Sequence, residues 1–171
     1  MRYALWRRNF PTALTCCRWQ NQGSLALKFK ARCVHARTRR RMDTVVKLRT
    51  YIVEDNPTIR ENLIGTLEEL ASVHAVGMAD TEDEGKDWLA AHPEQWDLAI
   101  VDLFLRQGSG LGVLAACRER RPGQKMVVLS NYATPDVRMR CAQLGVDAVF
   151  DKSNEIEALV DYCIAHSSTG A

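Results

Sequence analysis

Two patterns of hydrophobic and polar positions alternate along the chain from residue 49 onward. Short runs of β-branched, aliphatic and aromatic residues recur five times and are typical of buried strands. They predict strands at residues 49–53, 72–79, 98–102 or slightly beyond, 125–129 and 148–150. After each run, apolar residues recur at the three- and four-residue spacing of an amphipathic helix. Five strands alternating with five helices predict an α/β fold with a parallel sheet and helices on both faces.

Residues that favour helix starts support this alternation. Asn56 is suited to cap the first helix, because its side chain can accept hydrogen bonds from the next turn. Thr81 and Glu84 have the spacing of a capping box at the start of the second helix. Asn154 and Glu157 repeat that spacing before the last apolar stripe, so we expect the fifth helix to be capped there.

The distribution of charge divides the chain near Met42. Of the 23 Lys and Arg residues, 11 precede Met42, in a segment that holds none of the 21 Asp and Glu residues. We therefore expect residues 1–42 to be a basic, disordered N-terminal extension and residues 43–171 to form the folded domain. The extension could be a tail that contacts nucleic acid or anionic lipid, or an organelle transit peptide. We favour a third interpretation, translated upstream sequence with the native start at Met42, because the first strand pattern follows closely.

Cysteine spacing and the lengths of apolar runs limit the class of protein. Cys117, Cys141 and Cys163 each fall on an apolar helical stripe, where a free thiol behaves as a small hydrophobic residue. The six cysteines show no zinc-ligand spacing. Arginines interrupt the N-terminal apolar runs too often for a membrane span or a secretory signal. We therefore expect a reduced, cytoplasmic protein with no membrane partner.

Reactive polar side chains follow four of the five predicted strands. Glu54 and Asp55 follow the first strand, Asp102 ends the third, and Ser130 and Lys152 follow the fourth and fifth. Ligand sites of open α/β sheets form at the carboxyl ends of the strands, so we expect these groups to meet. Three adjacent carboxylates either raise a pKa or hold a cation, and oxygen ligands suit Mg²⁺. A cation and a lysine together could stabilise a phosphoryl group during in-line transfer.

Each of these residues alone has an ordinary structural explanation, such as an acid near a helix N-terminus or a surface lysine. Together, and in this order at strand ends, they resemble the receiver domain of two-component response regulators. The resemblance covers roughly residues 47–166, nearly everything after the basic segment. It implies a flavodoxin-like, doubly wound sheet of five parallel strands in the order 2-1-3-4-5, flanked by five helices.

The resemblance also implies a role for each matching residue. Asp102 would be the phosphoryl acceptor, a nucleophile that attacks phosphohistidine on a partner protein. Ser130 would donate a hydrogen bond to the transferred phosphoryl group, and Lys152 would pair with it.

The same resemblance implies a Mg²⁺ site. Asp55 and Asp102 would bind the ion directly, Glu54 would bind it through water, and the main-chain carbonyl of Phe104 would be a further ligand. Gly110 matches the glycine that the family usually has after the third strand.

The chain departs from the family pattern near the fifth strand. Ser153 follows the lysine where the family commonly has proline, and Val149 stands where it has the tyrosine or phenylalanine that moves with the hydroxyl residue. Phe150 should point to the opposite face of the sheet. The usual aromatic switch residue is therefore absent.

Bulky residues surround the expected acceptor. Asn131 follows Ser130 where the family prefers a small residue, and Tyr132 and Phe104 are aromatic. We expect this bulk to screen an acyl phosphate on Asp102 from water and to lengthen its life.

We therefore expect a stand-alone receiver rather than an enzyme. It would accept a phosphoryl group on Asp102 from a sensor histidine kinase or a histidine phosphotransfer protein. It would then signal by contacts with an unidentified downstream protein, by relay, or as a phosphorylation-dependent dimer. No output module is expected, since the chain ends five residues after His166.

Three other functions are compatible with parts of the sequence. The first is a transcriptional regulator that contacts DNA through the basic segment. The second is a phosphohydrolase with an aspartyl nucleophile, but Phe104 stands where such enzymes carry a second aspartate. The third is an interaction module that works without phosphorylation, which the intact acids, Ser130 and Lys152 argue against.

Overall fold

The computed structural model describes residues 47–167, so the predictions for the basic N-terminal extension lie outside the described residues. Five strands and five helices alternate in the predicted order. The strands are β1 (Leu48–Val53), β2 (Val73–Ala79), β3 (Leu98–Val101), β4 (Lys125–Ser130) and β5 (Ala148–Asp151). The helices are α1 (Pro57–Leu70), α2 (Glu82–Ala91), α3 (Gly110–Ala116), α4 (Pro135–Gln143) and α5 (Ile156–Ser167). None of these helices combines the length and the apolar character that a membrane crossing needs.

The five strands form one parallel sheet in the order β2-β1-β3-β4-β5. This confirms the predicted flavodoxin-like topology. The strand order reverses direction between β1 and β3, which is where doubly wound sheets form their ligand crevice. The carboxyl ends of β1 and β3 therefore lie side by side, with β4 and β5 next along the same edge.

Alternating residues of each strand build a core on both faces of the sheet, since successive side chains point to opposite sides. Tyr51 and Val53 belong to a buried cluster that includes Leu89 of α2 and Val113 of α3. A second cluster covers the other face beneath α1 and α5. Its main members are Leu48, Ile52, Ile100, Leu129, Phe150, Leu63, Leu67, Leu159 and Cys163. The two-sided burial explains why the central strands are apolar at nearly every position.

Free cysteines are part of this core, as the helical stripes predicted. Cys117, Cys141 and Cys163 are buried and unpaired. Burial in apolar surroundings raises the pKa of the Cys163 thiol to about 12, so it is a neutral packing group at physiological pH.

The predicted helix caps are confirmed for α1 and α2 and wrong for α5. The Asn56 side chain accepts hydrogen bonds from the amides of Thr58 and Ile59, and Thr81 accepts one from the amide of Glu84. The fifth helix instead begins at Ile156, two residues after Asn154. The Asn154 side-chain amide donates a hydrogen bond of 3.4 Å to Oδ1 of Asp151, the last residue of β5.

The third strand is shorter than its apolar sequence suggests. It ends at Val101, so Asp102 lies just beyond it rather than within it. The main chain turns away there, and the side chain of Phe104 is 58% exposed although it continues the apolar run. Residue pairing of β3 with β1 and β4 ends at Val101, and after one further bond from the Asp102 amide to Val53 O the chain forms a loop.

Phe150 lies on the opposite face from Val149, as predicted. Its ring makes an edge-on contact with Tyr162 of α5, at a centroid distance of 5.7 Å. Val149 packs against the cluster beneath α2 and α3. The aromatic side chain of β5 is therefore turned away from the face where the family's switch residue would lie.

Gly110 allows the loop after β3 to fold back against the acid-bearing turn. Its amide donates a hydrogen bond to Leu103 O at 3.1 Å. A Cβ at this position would collide with the main-chain carbonyl of Asp102 and would lie 2.9 Å from Cα of Leu103. Both obstacles are main-chain atoms, so a side-chain rotation cannot relieve the clash.

We expect Gly110→Ala to lower the free energy of unfolding by about 2 kcal/mol or more, because the backbone must shift to admit the methyl group. Urea unfolding followed by circular dichroism would measure the change. Gly65→Ala is the matched control, since Gly65 lies within α1 with open space around it. That change should stabilise the protein by about 1 kcal/mol. Equal stabilities of the two variants would contradict the proposed close approach.

Candidate functional site

The carboxyl edge of the sheet brings together the acids that the sequence singled out. The main chain leaving β1 is tied to β2 by the Glu54 amide, which donates to Ala79 O at 3.0 Å. The main chain leaving β3 is tied to β1 by the Asp102 amide, which donates to Val53 O at 2.9 Å. These two bonds fix the first residue after each strand. Glu54 and Asp102 are consequently buried side by side, at 3% and 7% exposure.

Lys152 reaches both buried acids from the loop after β5. Its Nζ lies 2.5 Å from Glu54 Oε2 and 2.7 Å from Asp102 Oδ2. Burial alone would lower the pKa of this lysine, but hydrogen bonds and charge attraction from Asp102 and Glu54 raise it above its ordinary value. The ammonium is therefore charged at neutral pH. It joins two strand ends that are 98 and 50 residues away in the chain.

Asp55 completes a group of three carboxylates. Oxygen atoms of Glu54, Asp55 and Asp102 all lie within 4.8 Å of one another. Ligand oxygens about 2.1 Å from an octahedral ion are separated by roughly 3–4 Å, so small side-chain movements would bring these three onto one ion. The donor set consists of hard oxygen atoms only, which suits Mg²⁺ or Ca²⁺ better than zinc or copper. The residues therefore fit a divalent cation.

Two carboxylates of this group are held by main-chain amides. The Asn56 amide donates to Glu54 Oε1 at 3.2 Å, and the Phe104 amide donates to Asp102 Oδ1 at 3.3 Å. Asp102 Oδ2 thus contacts Lys152 Nζ, while Oδ1 accepts a hydrogen bond from an amide of the following turn. Its side chain is held in one orientation at the floor of the site.

Ser130 lies at the same edge, but its hydroxyl is engaged elsewhere. The residue is fully buried at the end of β4, and its carbonyl accepts a hydrogen bond from the Lys152 amide at 3.1 Å. Its Oγ accepts a long hydrogen bond of 3.4 Å from the Tyr132 amide. Within residues 47–167, no hydrogen bond joins this hydroxyl to the three carboxylates or to Lys152 Nζ.

Two aromatic rings stand at the entrance of the site. The rings of Phe104 and Tyr132 are tilted at 60° with centroids 5.0 Å apart. They border a cavity of about 180 Å³ whose lining also includes Asp55, Asp102 and Lys152. Phe104 and Tyr132 are 58% and 60% exposed, so the ring pair lies at the solvent-facing rim of the cavity.

Two arginines beside the site were missed by the sequence analysis. Arg60 of α1 donates to Glu54 O at 2.8 Å and also contacts Asp80. Arg106 in the loop after β3 places its Nε 3.2 Å from Asp55 Oδ2. Periodicity does not distinguish either residue from a solvated arginine. Only the fold brings them to the acids.

The chain belongs to the response regulator receiver domain family, whose model matches residues 50–163. The fold, the acid cluster and the lysine at the strand ends agree with this assignment. The family's members are signalling modules of two-component systems that accept a phosphoryl group on aspartate.

Curated relatives are about one third identical to this chain over the residues that align. The photosynthetic apparatus regulatory protein RegA of Rhodovulum sulfidophilum is 31% identical over 110 residues, which are 63% of this chain and 58% of RegA. The acid tolerance regulatory protein ActR of Rhizobium meliloti is 33% identical over 94 residues, which are 55% of this chain and 46% of ActR. The chain thus spans about half the length of the curated relatives that it matches.

Solved structures of receiver domains have the same fold. The receiver domain of NarL from Mycobacterium tuberculosis aligns with a TM-score of 0.62 at 24% identity, over 72% of this chain and 98% of that domain. A response regulator from Burkholderia pseudomallei, solved with a phosphorylated aspartic acid, a calcium ion and citrate, aligns with a TM-score of 0.59. Its identity is 25%, over 71% of this chain and 69% of that chain.

We expect Lys152→Met to lower the free energy of unfolding by about 3 kcal/mol at neutral pH, because two buried carboxylates lose their common partner. Since the folded pKa of Lys152 is raised, its contribution is fully present below its ordinary value of 10.5. It is lost as the pH rises through the raised value. Urea unfolding of both proteins from pH 7 to pH 11 would measure the difference.

Lys86→Met is the control for this prediction. Lys86 also contacts two carboxylates, Glu82 and Asp83, but its side chain and that of Asp83 are much more exposed. Solvent screens such pairs, so the control should lose far less stability. Equal losses in the two variants would contradict the structural importance of the buried lysine.

Proposed function

We propose that this receiver accepts a phosphoryl group on Asp102 from a histidine kinase or a histidine phosphotransfer protein. The main support for this proposal is the position of Lys152. Its ammonium contacts Asp102 and Glu54 at 2.7 and 2.5 Å at the floor of a small open cavity. A buried cation beside a nucleophilic carboxylate is the arrangement needed to stabilise charge on a transferring phosphoryl group. The family assignment supports the same chemistry.

In the transfer step, an Asp102 carboxylate oxygen attacks phosphorus and forms an oxygen–phosphorus bond. The nitrogen–phosphorus bond of the donor phosphohistidine breaks, and its electron pair returns to the imidazole. Asp102 lines the cavity, and its Oδ1 accepts a hydrogen bond of 3.3 Å from the Phe104 amide. Lys152 then pairs with the acyl phosphate, whose charge is more negative than that of the original carboxylate.

Glu54, Asp55 and Asp102 are proposed to hold Mg²⁺, with the carbonyl of Phe104 as a further ligand and water completing the shell. When bound, the ion offsets the negative charge of the acids and of the incoming phosphoryl group. The 4.8 Å limit on the carboxylate separations and the all-oxygen donor set support this assignment. The phosphorylated Burkholderia pseudomallei regulator, solved with a calcium ion, is a precedent for a divalent cation in the family.

Ser130 is proposed to bind the phosphoryl group only after transfer. Its hydroxyl accepts a weak, 3.4 Å hydrogen bond from the Tyr132 amide, so little energy is needed to redirect it. When the Ser130 hydroxyl rotates to donate a hydrogen bond to the phosphoryl group, the turn after β4 would move with it. Because Val149 replaces the aromatic switch residue of the family, this turn and α4 are the elements that we propose to transmit the signal.

Phosphorylation should depend on Asp102 and on a divalent cation. Incubation with acetyl phosphate and Mg²⁺ should add one phosphoryl group to the full chain, measured by intact mass. Asp102→Ala should abolish the addition, and excess EDTA should reduce it to background. Asp87→Ala, which removes an exposed aspartate of α2, is the matched control and should be phosphorylated like the wild type. Addition to the Asp102→Ala protein would exclude Asp102 as the acceptor.

The ring pair should lengthen the life of the acyl phosphate by hindering the approach of water. We expect Phe104→Ala and Tyr132→Ala each to accelerate loss of the phosphoryl group about fivefold, which corresponds to about 1 kcal/mol of activation barrier. The measurement is the decay of the phosphorylated mass after the donor is removed. Tyr132→Phe keeps the ring and should decay like the wild type. Unchanged decay in both alanine variants would show that the rings do not shield the site.

A further inference from the structure

Asp55 forms an ion pair with an arginine of the same chain. Arg106 Nε lies 3.2 Å from Asp55 Oδ2, and both residues line the cavity that opens beside the site. The two side chains differ in exposure, because Asp55 is 15% exposed and Arg106 is 75% exposed. A largely solvent-exposed guanidinium thus contacts a mostly buried carboxylate. Asp55 is the one acid of the three that Lys152 does not contact at hydrogen-bond distance within residues 47–167.

The loop that carries Arg106 is fixed at its far end by α2. The Ser109 amide donates to Glu82 Oε2 at 2.8 Å, and the Glu82 amide donates to Gln107 O at 3.1 Å. Gly108 between them adopts a φ of 82°, a conformation suited to glycine. The loop after Arg106 is therefore held in place, while the arginine side chain itself is mostly exposed to solvent.

We propose that Arg106 is a tethered counter-ion of Asp55 that a divalent cation must displace. This inference rests on the cation site of the proposed function. The Arg106 guanidinium lies 3.2 Å from an oxygen that the metal ion would have to contact, and two positive charges at such a distance repel each other. Arg106 thereby stabilises the acid cluster when no ion is bound and reduces its affinity for the ion.

A groove beside the site can accommodate the displaced guanidinium. Arg106 lines a groove of about 600 Å³ between the loop after β3 and α4. Leu105, Leu111 and Val137 form its apolar wall, and Arg140 of α4 lies on the same groove. Binding of a divalent cation to the acid cluster would therefore release the Arg106 guanidinium into the groove, where Arg140 already lies. Cation binding at the acids and the charge of this surface are linked through one side chain.

The exposure of the Arg106 side chain determines how much its removal should change the affinity for Mg²⁺. An ion pair with one solvated partner contributes little, so its removal should strengthen cation binding about two- to fivefold. Isothermal titration of the full chain with MgCl₂, at constant ionic strength set by KCl, would measure the dissociation constants. We expect Arg106→Gln to lower the dissociation constant by that factor.

Arg140→Gln is the matched control, because it removes the same charge from the same groove without touching an acid of the cluster. Its dissociation constant should stay close to that of the wild type. An equal gain in Arg140→Gln would assign the effect to general electrostatics and overturn the proposal. Unchanged binding in Arg106→Gln would overturn it as well, while leaving the cation site intact. If no variant binds Mg²⁺, the cation site of the proposed function is refuted together with the competition.

A nuclear magnetic resonance measurement observes the displacement directly. The Nε–Hε resonance of Arg106, assigned by its loss in Arg106→Gln, should shift as MgCl₂ is added to the wild type. The shift should follow the dissociation constant from calorimetry. In Asp55→Asn the same resonance should already lie near its Mg²⁺-saturated position. A resonance that ignores both MgCl₂ and the Asp55→Asn change would show that the two side chains are not paired in solution.

Discussion

The buried contact of Lys152 with Glu54 and Asp102 is the interaction on which the site depends. Two carboxylates with less than a tenth of their surface exposed would repel each other in a medium that screens charge poorly. One ammonium within 2.7 Å of both offsets this repulsion and fixes their separation. The excess negative charge that remains, with Asp55 included, is what makes the site suited to a divalent cation.

The fold supplies this arrangement through parallel pairing. Because all five strands run in one direction, the residues that follow them meet at one edge of the sheet. The amides of Glu54 and Asp102 extend the pairing by one residue beyond β1 and β3, which places both acids in register. Gly110 then lets the loop fold back closely enough to set Phe104 and Arg106 at the entrance. Buried ionic and main-chain contacts thus hold the floor of the site, whereas Phe104 and Arg106 at its rim are largely exposed.

The fifth strand and α4 show how this chain differs from the family pattern. Val149 faces one core cluster and Phe150 the other, so no aromatic ring of β5 can move toward Ser130. Arg138 of α4 instead bridges the elements around the site. It contacts the carbonyls of Ala133 and Val149 and reaches Glu155 Oε2 at 2.6 Å. A polar bridge links α4 to the loop after Lys152.

Local sequence determined the elements and most of the site. Apolar periodicity located the strands and helices, and the acids, Ser130 and Lys152 were recognisable by their order at strand ends. Errors occurred where local signals compete with tertiary contacts. The apolar residues 103–105 continue the pattern of β3, yet the strand ends at Val101, and Asn154 turns to Asp151 rather than to a helix end. Only the tertiary structure decided that Arg106 pairs with Asp55 and that Lys152 joins two acids. These partners are 51, 98 and 50 residues apart, and no local pattern records which distant charge a long, flexible side chain will meet.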